Sequence, residues 1–282
     1  MPEIRPVNRS ANGVADFLEL VALSHPGAVG SDSLIRIGAE SGLTQAAVGL
    51  GMNTMSRRAA QLGDAYPFRV ANGIACRPGA EGFPWTALLN LSSGSPARQT
   101  TPLDESALHL EQLTAAAMET FFGPETRAAR FGWPGDAGRP PEFPDAIRWL
   151  AGLMKAELGN AYRSPFRKDG GVDVVAWRPF LDGRSGFPVV LVQCTLEQDY
   201  AHKASDIDLR VWSGWLRLDV DPMTALAVPT VVPQGEDWNA LAARTVILDR
   251  SRLCGLVSAG SDRLGPVRAW TAEAVASLKD SR

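Results

Sequence analysis

The sequence predicts an α/β (α+β) protein: a central mixed sheet flanked by helices, preceded by a small helical unit. Three observations lead there. From residue 103 to 249 the apolar periodicity reads helix, helix, strand, strand, helix, strand, strand, the order of a layered domain with a sheet at its centre. Residues 14–63 instead hold three helical pieces broken by glycines. Between the two lies LSSGSPARQTTP (91–102), rich in Gly, Ser and Pro, which divides the chain into units 1–95 and 96–282.

Composition narrows the class. Apolar residues are 45% of the 282, enough for a sizeable core. No apolar run approaches the ~18–20 residues of a membrane span, and MPEIRPVNRS lacks the charged-then-apolar order of a signal peptide. Cys76, Cys194 and Cys254 are far apart and odd in number. They fit neither a disulfide framework nor zinc spacing, which leads to the expectation of a reducing cytoplasm. His25, His109 and His202 are the only histidines, and HExxH, paired CxxC, P-loop and GxGxxG patterns are missing. Histidine-rich metal hydrolysis and nucleotide-driven chemistry are therefore disfavoured. A net charge of −3 does not advertise a nucleic-acid binder, although an average can conceal a basic groove.

The elements follow in order. VADFLELVAL (14–23), SDSLIRIGAES (31–41) and LTQAAVGLGMNTMSRRAAQLG (43–63) read as helices. In YPFRVANGIACRP (66–78) two apolar runs flank Asn72-Gly73, a dipeptide suited to a type I′ turn, so a β-hairpin is expected. Short helices followed by a hairpin outline a winged helix. Arg57 and Arg58 read as a solvated helix face, with phosphate contact as the alternative. Beyond the linker, Thr101-Pro102-Leu103-Asp104 has the hydroxyl, proline and acid of a helix start. That helix puts Leu110, Leu113, Ala117 and Phe121 on one face and stops at Gly123. FGWPGDAGRPPEFP (131–144) is irregular, and a helix from Pro144 to Gly159 carries Ile147, Leu150, Ala151, Met154 and Leu158. VDVVAW (172–177) and VVLVQCT (189–195) are strands joined by RPFLDGRSGF. A helix with Ala204, Ile207, Val211, Trp215 and Leu218 comes next. ALAVPTVV (225–232) and RTVILD (244–249) are strands, and TAEAVASLK (271–279) closes the chain as a helix. Trp212, Trp215 and Trp238 read as core or partner-contact residues, and DRSRL (249–253) as an internal salt bridge.

Two polar residues interrupt the middle strands. Alternation puts Asp173, Val175 and Trp177 on one face, and Leu191, Gln193 and Thr195 on one face of the next strand. An acid among apolar neighbours needs a cation or a hydrogen-bond network as partner. Gly170-Gly171 beside it permits close approach of a ligand or another backbone.

DGGVDVV followed by VQC resembles the core of Mrr-type restriction endonucleases, within the PD-(D/E)xK nuclease superfamily. The resemblance spans roughly residues 105–250 and implies a restriction-endonuclease-like core. In that family a GGxD strand supplies a metal-binding aspartate and the next strand, ending QxK, supplies a glutamine and a lysine. A glutamate near a preceding helix start, written FE and followed by glycine, completes the site. The matching positions are Asp173, Gln193, and Glu111 of Leu110-Glu111 ahead of Gly123, with Asp169 assisting. Two departures stand out. Segment 124–160 lies between the Glu111 helix and the Asp173 strand, as an insertion or a sign of wrong register, with Glu142, Asp145 and Glu157 as fallback acids. Thr195 occupies the lysine's place, and Lys203, in the following helix four before Ile207, is its migrated replacement, with plain snorkelling as the alternative.

The resemblance implies Mg²⁺ (or Mn²⁺) held by Asp173, Glu111, the Gln193 side-chain oxygen and the Cys194 carbonyl, with Lys203 positioning water and stabilising charge. Cys194 itself reads as a core residue. Arg163, Arg167, Lys168, Arg178 and Arg184 are the expected DNA contacts around the mouth of the site. The implied function is a metal-dependent DNA endonuclease, the nuclease subunit of a bacterial restriction or anti-phage defence system. Its partners are DNA and a protein subunit or second copy, away from any membrane. One rival is a decayed nuclease fold that binds DNA or a partner. Another is a transcription regulator reading DNA through the N-terminal unit. A small-molecule hydrolase lacks a visible nucleophile constellation.

Overall fold

The computed structural model describes residues 4–76, 82–92, 94–135, 138–160, 169–258 and 261–280. The N-terminal unit contains α1 (Ala11–Leu23), β1 (Val29–Gly30), α2 (Ser31–Glu40), α3 (Gln45–Leu62), β2 (Phe68–Val70) and β3 (Gly73–Cys76). Ser10 Oγ accepts from Gly13 N–H at 3.1 Å and starts α1. Thr44 does the same for α3 through Ala47 N–H at 3.2 Å. Each such cap is worth about 1 kcal/mol. Gly51 lets α3 lie close on α1, since a Cβ there would fall 2.7 Å from Val14 Cγ1. The three strands form an antiparallel sheet in the order β1-β3-β2.

The expected hairpin forms, but its type I′ turn does not. That turn needs positive φ at both central residues, and Asn72 is not among the residues that adopt it. Ala71 N–H instead donates to Gly73 C=O at 3.0 Å, and Val70 faces Ile74 across a three-residue loop.

α4 (Trp85–Leu91) and α5 (Pro96–Thr100) lead to α6 (Leu103–Met118), β4 (Arg127–Arg130), α7 (Phe143–Met154), β5 (Glu157–Leu158), β6 (Val174–Trp177) and β7 (Val189–Cys194). Then come α8 (Leu209–Trp215), β8 (Leu216–Arg217), β9 (Met223–Ala227), α9 (Glu236–Ala242), β10 (Val246–Leu248), α10 (Arg250–Leu256) and α11 (Gly265–Asp280). The five-stranded central sheet is mixed, in the order β10-β9-β7-β6-β4. Its β4, β6 and β7 are antiparallel, whereas β7, β9 and β10 run parallel. Alternation sends Val174, Ala176, Val190 and Val192 into a core shared with α6, α10 and the N-terminal unit. Val175, Trp177, Val189 and Leu191 face α7 and α8, where Trp212 and Trp215 are buried. No described helix is long and apolar enough to cross a membrane.

Several sequence expectations are corrected. Segment 124–160 is no mere insertion, because it supplies edge strand β4 and the β5 that pairs with β8. α6 begins after Pro102 without a side-chain cap, and the Thr101 hydroxyl accepts from Trp270 Nε1 at 3.1 Å instead. α7 stops at Met154, where Lys155 turns left-handed, rather than at Gly159. The helix expected around 204–218 is only α8, capped by Asp208 and preceded by a 3₁₀ turn, Ala201–Ser205.

Arg58 is not on a solvated face. It donates to Asp16 at 2.7 Å, to Glu19 at 2.6 Å and to Asn12 at 3.0 Å. Arg250, wholly buried, forks onto both Asp16 oxygens at 2.9 Å and donates to Pro229 C=O at 2.8 Å. Tyr66 and Trp85 donate to Glu19 at 2.7 and 2.8 Å. Burial acts to raise the Asp16 carboxyl, but the Arg250 and Arg58 guanidiniums outweigh it and hold the pKa below its usual value.

Arg250→Ala leaves buried Glu19 and part-buried Asp16 sharing one arginine, and is expected to cost about 3–5 kcal/mol. Urea unfolding followed by circular dichroism measures this. Arg36→Ala, which breaks an exposed pair with Glu40, serves as the comparison and should cost less than about 0.5 kcal/mol. A comparable loss in both variants would show that the buried network carries no special weight.

Candidate active site at the end of the central sheet

Three strands bring polar groups to one end of the sheet. β6 runs away from Asp173 while the neighbouring antiparallel strands β4 and β7 run towards it, so Arg130, Asp173, Gln193 and Cys194 meet there. The chain enters β6 through Gly170 (φ 63°) and Gly171 (φ 79°), left-handed conformations that favour glycine. Asp169 Oδ1 accepts from Gly171 N–H at 2.8 Å, and Gly170 C=O accepts from Trp212 Nε1 at 3.1 Å. A Cβ on Gly170 would meet the Trp215 ring at 2.8 Å. What approaches Gly170 closely is therefore the chain's own indole, while Gly171 faces the Asp206 carbonyl, 3.3 Å from where a Cβ would stand.

Asp173 is fastened on both sides. Its C=O accepts from Phe131 and Gly132 N–H at 2.6 and 2.9 Å, and its N–H donates to Val192 C=O at 2.9 Å. Its carboxylate Oδ2 accepts from Cys194 N–H at 2.7 Å. Glu111, on α6, is buried against Gly132, where a Cβ would fall 2.4 Å from its Oε2. Arg130 Nη1 forms an ion pair with that same oxygen. Burial pushes the Asp173 carboxyl well above the ordinary range, Glu111 and Asp169 add to the rise, and the Cys194 N–H and Arg130 oppose it. Burial likewise pushes the Cys194 thiol well above its usual value, with the Asp173 and Glu111 charges adding to the rise. A thiolate nucleophile is disfavoured there.

Gln193 donates Nε2 to Asp206 Oδ2 at 3.2 Å, while its buried Oε1 finds no hydrogen-bond partner. Lys203 lies in the 3₁₀ turn, with Nζ 3.1 Å from Glu197 and 3.9 Å from the same Asp206 oxygen. Asp206 thus ties Lys203 to the end of β7. Thr195 Oγ1 accepts from Glu197 N–H at 3.2 Å. His202 pairs with Glu197 at 3.3 Å.

Not every expected residue is here. Arg178 and Arg184 sit on the β6–β7 loop, at the opposite end of those strands from Asp173, roughly 15 Å away at ~3.3 Å per residue. That corrects their expected place at the mouth. Arg178 donates to Pro124 C=O at 3.1 Å, and Arg184 approaches Asp182 at 3.8 Å. Arg163, Arg167 and Lys168 lie outside the described residues. The fallback acids are elsewhere: Asp145 pairs with Arg148 on the surface, Glu157 pairs with Arg217 at 2.9 Å, and Glu142 opens α7 without capping it. Arg130, Asp206 and Glu197 were missed. The only available signals were a charge closing the RAAR run and an acid three residues after Lys203.

Gln193 shares the β7 face of Leu191, opposite α6 and Glu111, whereas Asp173, Glu111 and the Cys194 carbonyl form an oxygen-rich donor set. It suits a hard cation such as Mg²⁺ or Mn²⁺. Among the described residues no three His, Cys, Asp or Glu side chains group into a metal site, so a carbonyl and water would have to complete the shell.

The charge imbalance has a pH signature. Asp173 is held above its unfolded pKa, so its contribution to stability is fully present below the unfolded value and is lost as pH rises through the folded one. In chelator-treated buffer, Asp173→Asn is expected to melt above the native chain at about pH 8. The gap should close towards about pH 4. Identical melting curves at both pH values would contradict a strained carboxyl.

No family model, no curated protein and no solved structure matches this chain.

Proposed function

We propose that the chain is a metal-dependent DNA endonuclease with a PD-(D/E)xK-type site on a restriction-endonuclease-like core. The observation that carries this reading is the convergence of Asp173 and Glu111 at the sheet end. The helix bearing Glu111, the strand after Asp173 and the strand ending in Gln193-Cys194 are neighbours, as the resemblance requires. Three helices and a hairpin, with β1 completing the small sheet, support a winged-helix reading of the N-terminal unit. The setting follows from the resemblance alone: a cytoplasmic subunit of a restriction or anti-phage system, working with a protein partner or a second copy.

Asp173, Glu111 and the Cys194 carbonyl would hold Mg²⁺ or Mn²⁺, which supplies polarisation of a phosphate and a lowered pKa for bound water. Asp173 is positioned by the Cys194 N–H and Glu111 by Arg130. Lys203 contributes positive charge beside the reacting phosphate once it exchanges Glu197 for substrate. Arg163, Arg167 and Lys168 fall within the six residues before Asp169 in the chain and remain the proposed phosphate contacts. A decayed site that only binds DNA or a partner is the second reading. It is favoured by Thr195, whose hydroxyl is committed to Glu197, and by the pairing of Lys203 with acids.

Cleavage of plasmid and linear DNA, with Mg²⁺ or Mn²⁺ against EDTA, separates the two. Asp173→Ala and Lys203→Ala are each expected to lower metal-dependent cutting by about 10²-fold or more. Cutting that survives Lys203→Ala removes the lysine from the mechanism. A native chain that binds DNA without cutting it supports the decayed site.

A further inference from the structure

The end of the central sheet opposite Asp173 gathers exposed apolar surface. Among the described residues ten large apolar side chains are exposed, and six of them lie at this end: Leu153, Leu158, Phe180, Leu181, Val220 and Met223. α7 stops here, the β6–β7 loop turns here, and β9 begins here at Met223 beside Val190. Phe180 is 51% and Leu181 102% exposed, so the loop holds two consecutive apolar side chains in water. Apolar residues scattered singly over a surface are ordinary, whereas six gathered at one end mark a surface that another molecule covers.

Two grooves cross this end. The first, of about 220 Å³, runs between Leu153 on α7 and Phe180-Leu181 on the loop. The second, of about 270 Å³, runs between the loop at Ser185-Gly186 and the β5–β8 pair at Glu157 and Arg217. Lys155 and Phe187 line both, which makes the two grooves contiguous.

Charge decides what covers them. Around the first groove Arg127, Arg178 and Arg184, with the shared Lys155, outnumber Glu125 and Asp182. Beside the second, Arg217 is held by Glu157 at 2.9 Å. Asp219 and Asp221 are exposed there and make no ion pair among the described residues. The face is thus basic on one side and acidic on the other, with apolar side chains between. Such a face complements a second copy of itself turned through half a turn, because the basic side of each copy meets the acidic side of the other. An anionic lipid surface or an acidic peptide fits less well, since either would oppose Asp219 and Asp221 with like charge.

We propose that this end of the sheet is the interface of a two-fold homodimer. Phe180, Leu181 and Leu153 form its apolar centre, and Arg127 and Arg184 of each copy face Asp219 and Asp221 of the other at the rim. The two candidate sites then lie roughly 15 Å behind the interface in each copy, at ~3.3 Å per residue, and face away from one another. Each would engage its own stretch of substrate.

Sedimentation velocity of the full chain, without metal or DNA, tests the interface between about 1 and 100 μM. A dimer is expected, with a dissociation constant on the order of micromolar. Leu181→Asp, at a fully exposed side chain, is expected to weaken it at least about tenfold and to leave the melting temperature unchanged. Two further variants reverse one side each: Arg127→Glu with Arg184→Glu, and Asp219→Arg with Asp221→Arg. Each alone is expected to be monomeric, and an equimolar mixture of the two to dimerise again, because the reversed sides complement each other. A native chain that stays monomeric at about 100 μM overturns the proposal. So does a dimer that Leu181→Asp leaves intact, or a mixture that does not recover. A monomer that binds phosphatidylserine vesicles through Leu181 overturns it in favour of a lipid surface. Neither metal nor DNA enters the measurement, so failure here and failure of the nuclease reading are distinguishable.

Discussion

Arg250 gripping Asp16 across 234 positions of sequence is the interaction on which the rest of the architecture depends. Arg250 and Glu19 are wholly buried and Arg58 nearly so, while Asp16 keeps a small exposed edge. Two acids, one buried and one part-buried, and two buried arginines balance only when all four are present. The requirement is geometric as well as electrostatic. Arg250 must emerge from the end of β10, Asp16 and Glu19 must lie one turn apart on α1, and Trp85 must close the cavity with its indole N–H. The composition break at 91–102 lies between residues that pack together. The apolar residues on either side of it share one core, running from Val14 to Leu278.

The far end of the sheet shows the opposite arrangement of charge. There Asp173, Glu111 and Asp169 outnumber the nearby Arg130 and Arg139, and the fold holds Asp173 against its preference for ionisation. Its backbone is pinned through β4 and β7, so the carboxyl cannot swing away to relieve the strain. Structural charge is balanced in the first cluster and left unbalanced in the second. Imbalance of that kind, at the end of rigid strands, is the feature on which the proposed cation site rests.

Which parts of this were legible depended on the range of the interaction. Asp173 and Gln193 could be paired from sequence because strand alternation is local and both interrupt apolar runs. Glu111 was readable once a helix was assumed. β4 was not, since Arg127-Ala128-Ala129-Arg130 lacks the branched and aromatic residues that mark strands, and only pairing with β6 makes it one. Arg178 and Arg184 were misplaced for a topological reason: a hairpin loop lies at the far end of its strands from the residue that opens them. Arg58 looked like a surface residue because helix periodicity alone cannot reveal an acid approaching from another helix.

By itself the sequence determined α1, α2, α3, α6 and α7, the β2–β3 hairpin, the strands β6, β7, β9 and β10 with the faces they bury, and the acid and amide that break two apolar runs, because each of these follows from neighbours a few residues apart. The tertiary structure alone decided that Arg130 would sit on Glu111, that Asp206 would join Gln193 to Lys203, and that Arg250 would close on Asp16. Charge pairing in a desolvated space depends on distances between segments remote in the chain, and no local pattern encodes those distances.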